Sequence, residues 1–281
     1  MPPRILGVDF TSAPRTAKPI TVARAELDGR RLAVRTIDRL PDFPAFESLL
    51  REPGPWVGGF DFPFGLPGEL VDALGWPTAW PALVLRFASL AREDIAATFA
   101  AFRAGRPAGG KYATREADTF SGAHPSMKLV NPPVGWMLKE GAPRLLAAGV
   151  HLPTLHEGDR TRVALEAYPG LLVRMVARQA GAPRPPSYKS DAAAGRTPAR
   201  LDARARLVEA LERGAHPLGL RAWLQREVRD AAIEDATGDT LDAIACAVQA
   251  AWGAQRAGDD YGLPRRARPF EGWIVSACRP T

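Results

Sequence analysis

Ile5-Leu6-Gly7-Val8-Asp9-Phe10 is the stretch that decides the fold. It is a nearly continuous apolar run, the pattern of a strand buried on both faces of a sheet, and it ends on a carboxylate. Residues 19–27 and 31–38 follow as two alternating segments, with Leu32, Val34 and Thr36 sharing one face. Asp28-Gly29 between them is a strong two-residue hairpin signal. Phe46, Leu49 and Leu50 then stand at helical spacing behind Pro44, which suits a helix's first turn, and Pro53-Gly54-Pro55 ends that helix. Trp56-Val57-Gly58-Gly59-Phe60-Asp61-Phe62 reads as another strand. The predicted order is strand, strand, strand, helix, strand.

Beyond residue 62 the pattern is less regular. Helices are predicted near 67–74, 78–104 (with a break near Arg92) and 143–148. Residues 105–136 are rich in Gly, Pro and polar side chains, including Gly109-Gly110-Lys111-Tyr112 and His124-Pro125-Ser126. A loop of that length inside a compact domain belongs to the functional or mobile class. Val163-Ala164-Leu165-Glu166-Ala167-Tyr168 reads as a fifth strand stopped by Pro169-Gly170, followed by a helix at 170–180. A Pro- and Ala-rich connector over 181–198 carries Ser187-Tyr188-Lys189-Ser190. Further helices fit 199–213, 218–230 and 240–256, and Trp273-Ile274-Val275 fits a short edge strand.

Composition narrows the class. The 281 residues are 46% apolar and 24% charged, which excludes collagen, a coiled-coil rod and wholesale disorder. No apolar run is long enough to span a bilayer, and Met1-Pro2-Pro3-Arg4 leads into too few apolar residues for a signal peptide, so no membrane partner is expected. Cys246 and Cys278 can make neither a disulfide framework nor a four-cysteine zinc site, and a reduced, cytoplasmic protein is the expectation. The net charge is +6, and 32 of the 37 basic residues are Arg. That balance allows nucleic acid as a partner, and a GC-rich coding bias accounts for it equally well. No protein partner is evident. His124, His151, His156 and His216 lack metal-ligand spacing, and phosphate-loop, zinc-protease and nucleophile-elbow motifs are absent from the sequence.

Acidic residues in apolar runs carry the chemistry. Asp9 and Asp61 each end a strand-like run, where a buried carboxylate needs a cation, a metal or backbone donors. Capping of the turns that follow is the alternative. In Gly238-Asp239-Thr240-Leu241-Asp242-Ala243-Ile244-Ala245, Asp239 fits an N-cap and Asp242 its capping-box partner, yet Asp242 also borders the helix's apolar face. Glu166 interrupts the fifth strand, where an exposed position would leave it harmlessly in water. Taken together, such a carboxylate set suits Mg²⁺ or Mn²⁺, hard ions that take oxygen ligands. Two of them about 4 Å apart can clamp an in-line phosphoryl displacement.

The opening order, with Asp on the first strand, resembles the ribonuclease H-like fold. The finer likeness is to the family called domain of unknown function 429, regarded as predicted nucleases. It rests on Gly7-Val8-Asp9 through Pro14, on Gly59-Phe60-Asp61-Phe62-Pro63-Phe64-Gly65-Leu66-Pro67, on Glu166-Ala167-Tyr168-Pro169 and on Asp239-Thr240-Leu241-Asp242-Ala243, which together bracket most of the chain. The resemblance implies an α/β protein over 1–281: three antiparallel strands, then parallel ones, flanked by helices. A helical insertion over 66–160 would lie between the fourth and fifth strands and shape the site. It implies Asp9, Asp61 and Asp242 as catalytic metal ligands, with Glu166 and Asp239 as further ligands. Glu47, the only acid in the middle of the first helix, has a doubtful ligand role.

The expected function is a Mg²⁺- or Mn²⁺-dependent nuclease, with Lys111, Arg115, Lys128 and Lys189 as candidate substrate contacts in Pro- or Gly-rich segments. One alternative is an ATP-handling enzyme of the actin and sugar-kinase type, although Asp9-Phe10-Thr11-Ser12-Ala13-Pro14 offers hydroxyls and no Gly for a phosphate loop. The other is a non-catalytic nucleic-acid-binding protein that keeps the fold.

Overall fold

A computed structural model describes residues 3–264, 268 and 270–277. Met1, Pro2 and Cys278 lie outside the described residues. Strands β1 (Arg4–Asp9), β2 (Ile20–Asp28) and β3 (Arg31–Leu40) pair antiparallel in sequence order. Gly29 turns the β2–β3 hairpin at φ 53°, a conformation glycine adopts without a steric penalty. Helix α1 (Phe43–Leu50) starts where the Asp42 carboxylate accepts from the Ala45 N–H at 2.9 Å, and it buries Phe46, Leu49 and Leu50. Strand β4 (Trp56–Phe60) then lies parallel to β1.

The region predicted as an insertion is mostly helical: α2 (Gly68–Ala73), α3 (Trp80–Ser89), α4 (Arg92–Ala104), α5 (Glu116–Ser121) and α6 (Val134–Ala147). The break near Arg92 falls where expected. Helix α6 begins well before the predicted 143–148, with Pro143 inside it. The short β5 (Val150–His151) precedes β6 (Asp159–Glu166), so the fifth strand of the sequence reading is the sixth in the chain. Helices α7 (Pro169–Gln179) and α8 (Pro198–Arg213) follow. The helix predicted at 218–230 is instead a strand, β7 (Arg221–Leu224), and a helix, α9 (Arg226–Glu234). Arg221 and Trp223 are exposed while Ala222 and Leu224 are buried, a period of two that only a strand satisfies. Helix α10 (Asp239–Ala254) closes the sequence of regular elements, and the predicted Trp273–Val275 strand is a single bridge from Ile274 to Glu166.

The seven strands form one mixed sheet in the order β5-β6-β4-β1-β2-β3-β7, antiparallel through β1, β2 and β3 and parallel through β1, β4, β6 and β5. Alternation along the strands gives it two apolar faces. Ile5, Ala23, Val34, Val57 and Leu165 face α7 through α10. Leu6, Val8, Val22, Phe60 and Ala164 face α1 and the insertion helices. Among the described residues, no helix is long and apolar enough to cross a membrane.

One contact fixes the position of the acidic residues. A Cβ on Gly7 of β1 would stand 2.0 Å from the Ala243 carbonyl oxygen, and one on Gly59 of β4 would stand 2.5 Å from that of Cys246. Helix α10 therefore lies directly on strand backbone, against glycine on the sheet and Ala243, Ala247 and Ala250 on its own surface. Asp9 and Asp61 each follow one of these glycines by two residues, which turns them to the same face.

Candidate active site

Asp9 is the last residue of β1, and Asp61 follows β4, with its N–H donating to the Val8 carbonyl at 2.9 Å. Asp242 stands in the first turn of α10 and is fully buried. Because α10 starts over the ends of these two strands, its first turn brings Asp242 up to both. The capping-box reading of this turn is replaced by a different device. Gly238, at φ 81°, takes the N-cap position, and Asp239 is the first helical residue. The Asp235 carboxylate does the capping: it accepts from the Thr240 N–H at 2.9 Å and the Thr240 hydroxyl at 2.7 Å, and from the Thr237 N–H at 3.1 Å. Arg39 on β3 donates to Thr240 and to Thr21, both at 2.6 Å, tying the helix start to the sheet. The carboxylates of Asp239 and Asp242 are thereby left free for other partners.

The trio repels itself. Burial and then the charges of Asp242, Asp239 and Asp61 push the Asp9 carboxyl well above the usual carboxylate range, with Lys189 opposing. Burial and Asp242 raise Asp61 to about 7, again against Lys189. Burial also raises the Cys246 thiol, with Asp61, Asp9 and Asp242 adding to it. Within the described residues the carboxyls of Asp9 and Asp61 make no hydrogen bond, whereas both Asp242 oxygens are occupied. The Tyr188 hydroxyl donates to Oδ1, and the Lys189 ammonium donates to Oδ2. Lys189 is held there by its surroundings: a Cβ on Gly238 would meet the lysine's Cβ at 2.7 Å, Arg204 donates to the Tyr188 carbonyl at 2.8 Å, and Ser190 N–H donates to Ala236 O at 2.9 Å. A cation from the connector thus enters a cluster of carboxylates.

Glu166 belongs to a second constellation. It pairs in register with Phe60, so it shares Phe60's face and leaves that of Gly59 and α10. There it meets Arg115, whose guanidinium donates to both Glu166 oxygens at 2.6 and 2.8 Å, to Asp118 at 2.7 Å and to the Glu271 carbonyl at 2.8 Å. Phe64 N–H adds a bond to Glu166 at 2.9 Å. Arg115, Asp118 and Glu166 are all buried, so the guanidinium is engaged by this chain's own carboxylates. Asp239 stands beside the trio; burial and Asp235 raise its carboxyl, with the Lys18 charge opposing. Glu47 pairs with Arg51 and Arg144, away from the trio. Among the described residues, no group of three or more His, Cys, Asp or Glu side chains forms a ready metal-ligand set.

Part of this cluster opens into a cleft of about 710 Å³, and the fully buried Asp242 is not among its lining residues. Asp9, Asp61, Asp239, Glu166 and Lys189 line it, and Lys111 and Lys128 do not. Sequence reasoning missed Tyr188 as a partner of Asp242, Asp118 as a partner of Arg115, and Asp235 as the cap. The last two had local signals: Asp118 lies three residues after Arg115, and Asp235 precedes Thr237 at Asx-turn spacing. The chain matches no known family model, no curated protein and no solved structure.

Proposed function

We propose that this protein is a divalent-metal-dependent phosphodiesterase of the ribonuclease H-like class that acts on nucleic acid, with the domain of unknown function 429 family as its likeness. The observation that supports this reading is that Asp9, Asp61 and Asp242, from β1, β4 and α10, lie near enough for the Asp242 charge to raise the carboxyls of the other two. The run of antiparallel strands continued by parallel ones, with the first acid ending the central β1, supports the fold assignment.

Carboxylate oxygens are the donors Mg²⁺ and Mn²⁺ take, and the carboxyls of Asp9 and Asp61 lack a hydrogen-bond partner within the described residues; Asp242 would join them as a ligand only on giving up Tyr188 or Lys189, and the three are not a ready ligand set as they stand. Positive charge is what raised carboxyl pKa values call for, and Lys189 already supplies one such charge. Asp9 would hold the metal jointly with Asp61 and Asp242, with the charge of Asp239 close enough to be felt at Asp9. When bound, the metal supplies an activated water and offsets charge on the displaced oxygen. Lys189, released from Asp242, would turn its ammonium toward the substrate phosphate, and the cleft walls would limit the water that reaches it.

Calorimetric titration with Mn²⁺ tests the site. The wild type is expected to bind Mn²⁺, Asp9→Asn to lose that binding, and Mn²⁺-dependent cleavage of an oligonucleotide to disappear with it. Absence of binding to the wild type would reject the reading.

Lys189→Met gives a result of opposite sign. The ammonium competes with a dication for Asp242 Oδ2, so its removal is expected to tighten Mn²⁺ binding about tenfold, or about 1.4 kcal/mol, while lowering the Tm of the metal-free protein. Weaker Mn²⁺ binding in this variant would show that Lys189 supports the ligand set and does not compete for it.

A further inference from the structure

We infer that the site takes a short unpaired stretch of nucleic acid, one or two nucleotides deep, and not a double helix; this rests on the phosphodiesterase reading above. Three observations converge on it.

Asp9, Asp61 and Asp239 line a walled cleft, with Asp242 buried outside its lining. Its walls come from separate parts of the chain: Thr11 and Lys18 after β1, His124 and Asn131 from the insertion, and Pro186 and Asp191 from the connector. A volume of about 710 Å³ is that of a site for a molecule of nucleotide or dinucleotide size. In a duplex the scissile phosphate rides on the outside of a rod, with the partner strand beside it. To reach acids inside such a cleft, both strands would have to enter together.

The lysines and arginines lining the cleft are few, and all but Arg174, which donates to the Ser121 carbonyl, are engaged by carboxylates. Lys18 pairs with Asp191 at 3.3 Å, Lys189 with Asp242, and Arg115 with Asp118 and Glu166. Lys111 and Lys128, which would track neighbouring phosphates on a long substrate, are not among the lining residues. A protein that grips a duplex neutralises many phosphates at once. This cleft has the means for one or two.

The cleft also offers a planar surface. Tyr168 and Arg174 both line it, with the guanidinium carbon 5.1 Å from the tyrosine ring centre. Unpaired bases stack on tyrosine rings and on arginine planes, and a base within a duplex is already stacked on its neighbours.

The experiment measures binding of a 5′-phosphorylated dinucleotide, a 12-nucleotide single strand and the matching duplex, each in Ca²⁺ or Mn²⁺, over a range of salt. The dinucleotide is expected to bind and to displace the single strand. The single strand is expected to bind at least about tenfold more tightly than the duplex, with a salt slope near −1.4, the value for about two phosphates on a single strand. Tyr168→Ala is expected to weaken dinucleotide binding by about tenfold and to leave the Mn²⁺ titration unchanged. Duplex bound as tightly as single strand, or no effect of Tyr168→Ala, would overturn the substrate class while Mn²⁺ binding kept the phosphodiesterase reading. Loss of Mn²⁺ binding in the wild type would instead remove the reading on which it rests.

Discussion

Arg115→Met is expected to cost about 3–5 kcal/mol of unfolding free energy and to lower the Tm by roughly 5–8 °C. The methionine fills much of the space but leaves Glu166 and Asp118 buried, without the guanidinium that joins them to each other and to the Glu271 carbonyl. Without the guanidinium the buried Glu166 cannot keep its charge cheaply, so it takes up a proton. The pH dependence follows from that. Burial already raises Glu166, with Arg115 as the largest influence opposing it, so the variant's carboxyl rises further. A group whose folded pKa lies above its unfolded value disfavours the fold increasingly as pH climbs from the unfolded value through the folded one. The Tm difference between wild type and Arg115→Met is therefore expected to be smallest near pH 4.5 and to widen toward neutrality. Thermal melts at several pH values measure it, and a difference independent of pH would show that the deficit comes from packing alone.

The second large effect is steric. Gly7→Ala adds one methyl group where the nearest atoms are the Ala243 oxygen at 2.0 Å, the Ala247 nitrogen at 2.3 Å and the Ala247 Cα at 2.8 Å. All are backbone of α10, so no side chain can swing away. The helix must lift from β1, taking its contacts with β2 and β4 along and carrying Asp242 away from Asp9. Overpacking usually costs about 1–3 kcal/mol, and a rigid helix backbone puts this site at or above the top of that range. The expected result is a drop in Tm of at least about 6 °C together with loss of Mn²⁺ binding. A variant with wild-type Tm would show that β1 and α10 do not hold each other as closely as described. Glycine serves here for close approach, which is a different use from the left-handed turn at Gly29.

Much of this arrangement is legible in the residues. The apolar run ending in Asp9, the Asp28-Gly29 hairpin and the Phe46-Leu49-Leu50 spacing each depend on local periodicity, and the structure has β1, the β2–β3 hairpin and α1 at those places. Asp9, Asp61 and Asp242 are conspicuous because a carboxylate is costly where the pattern predicts burial. The misread places are those where tertiary partners decide. Residues 221–224 alternate over too short a window to outweigh the helical spacing around them, and pairing with β3 makes them a strand. Pro143 reads as a helix start and lies inside α6. Glu166 and Arg115 are 51 residues apart in sequence and meet in space, so each alone reads as a candidate ligand or phosphate contact. Asp235 takes over the cap from Asp239 because Arg39 and Thr240 gather around it, and no local spacing announces Arg39.

Helix α10 is buried without a break from Thr240 to Gly253, so none of its faces is wet. Such an element exposes its amides to exchange only when the whole domain opens. The connector that delivers Lys189 is mostly exposed, Tyr188 excepted, and forms little regular structure. The two halves of the site therefore live on different clocks. In hydrogen exchange, the amides behind Asp242 are expected to be the last to take up deuterium, and those of the exposed Arg184 and Ser187 in the connector among the first. A ligand entering the cleft can rearrange the connector many times over before the acids beneath it have moved once.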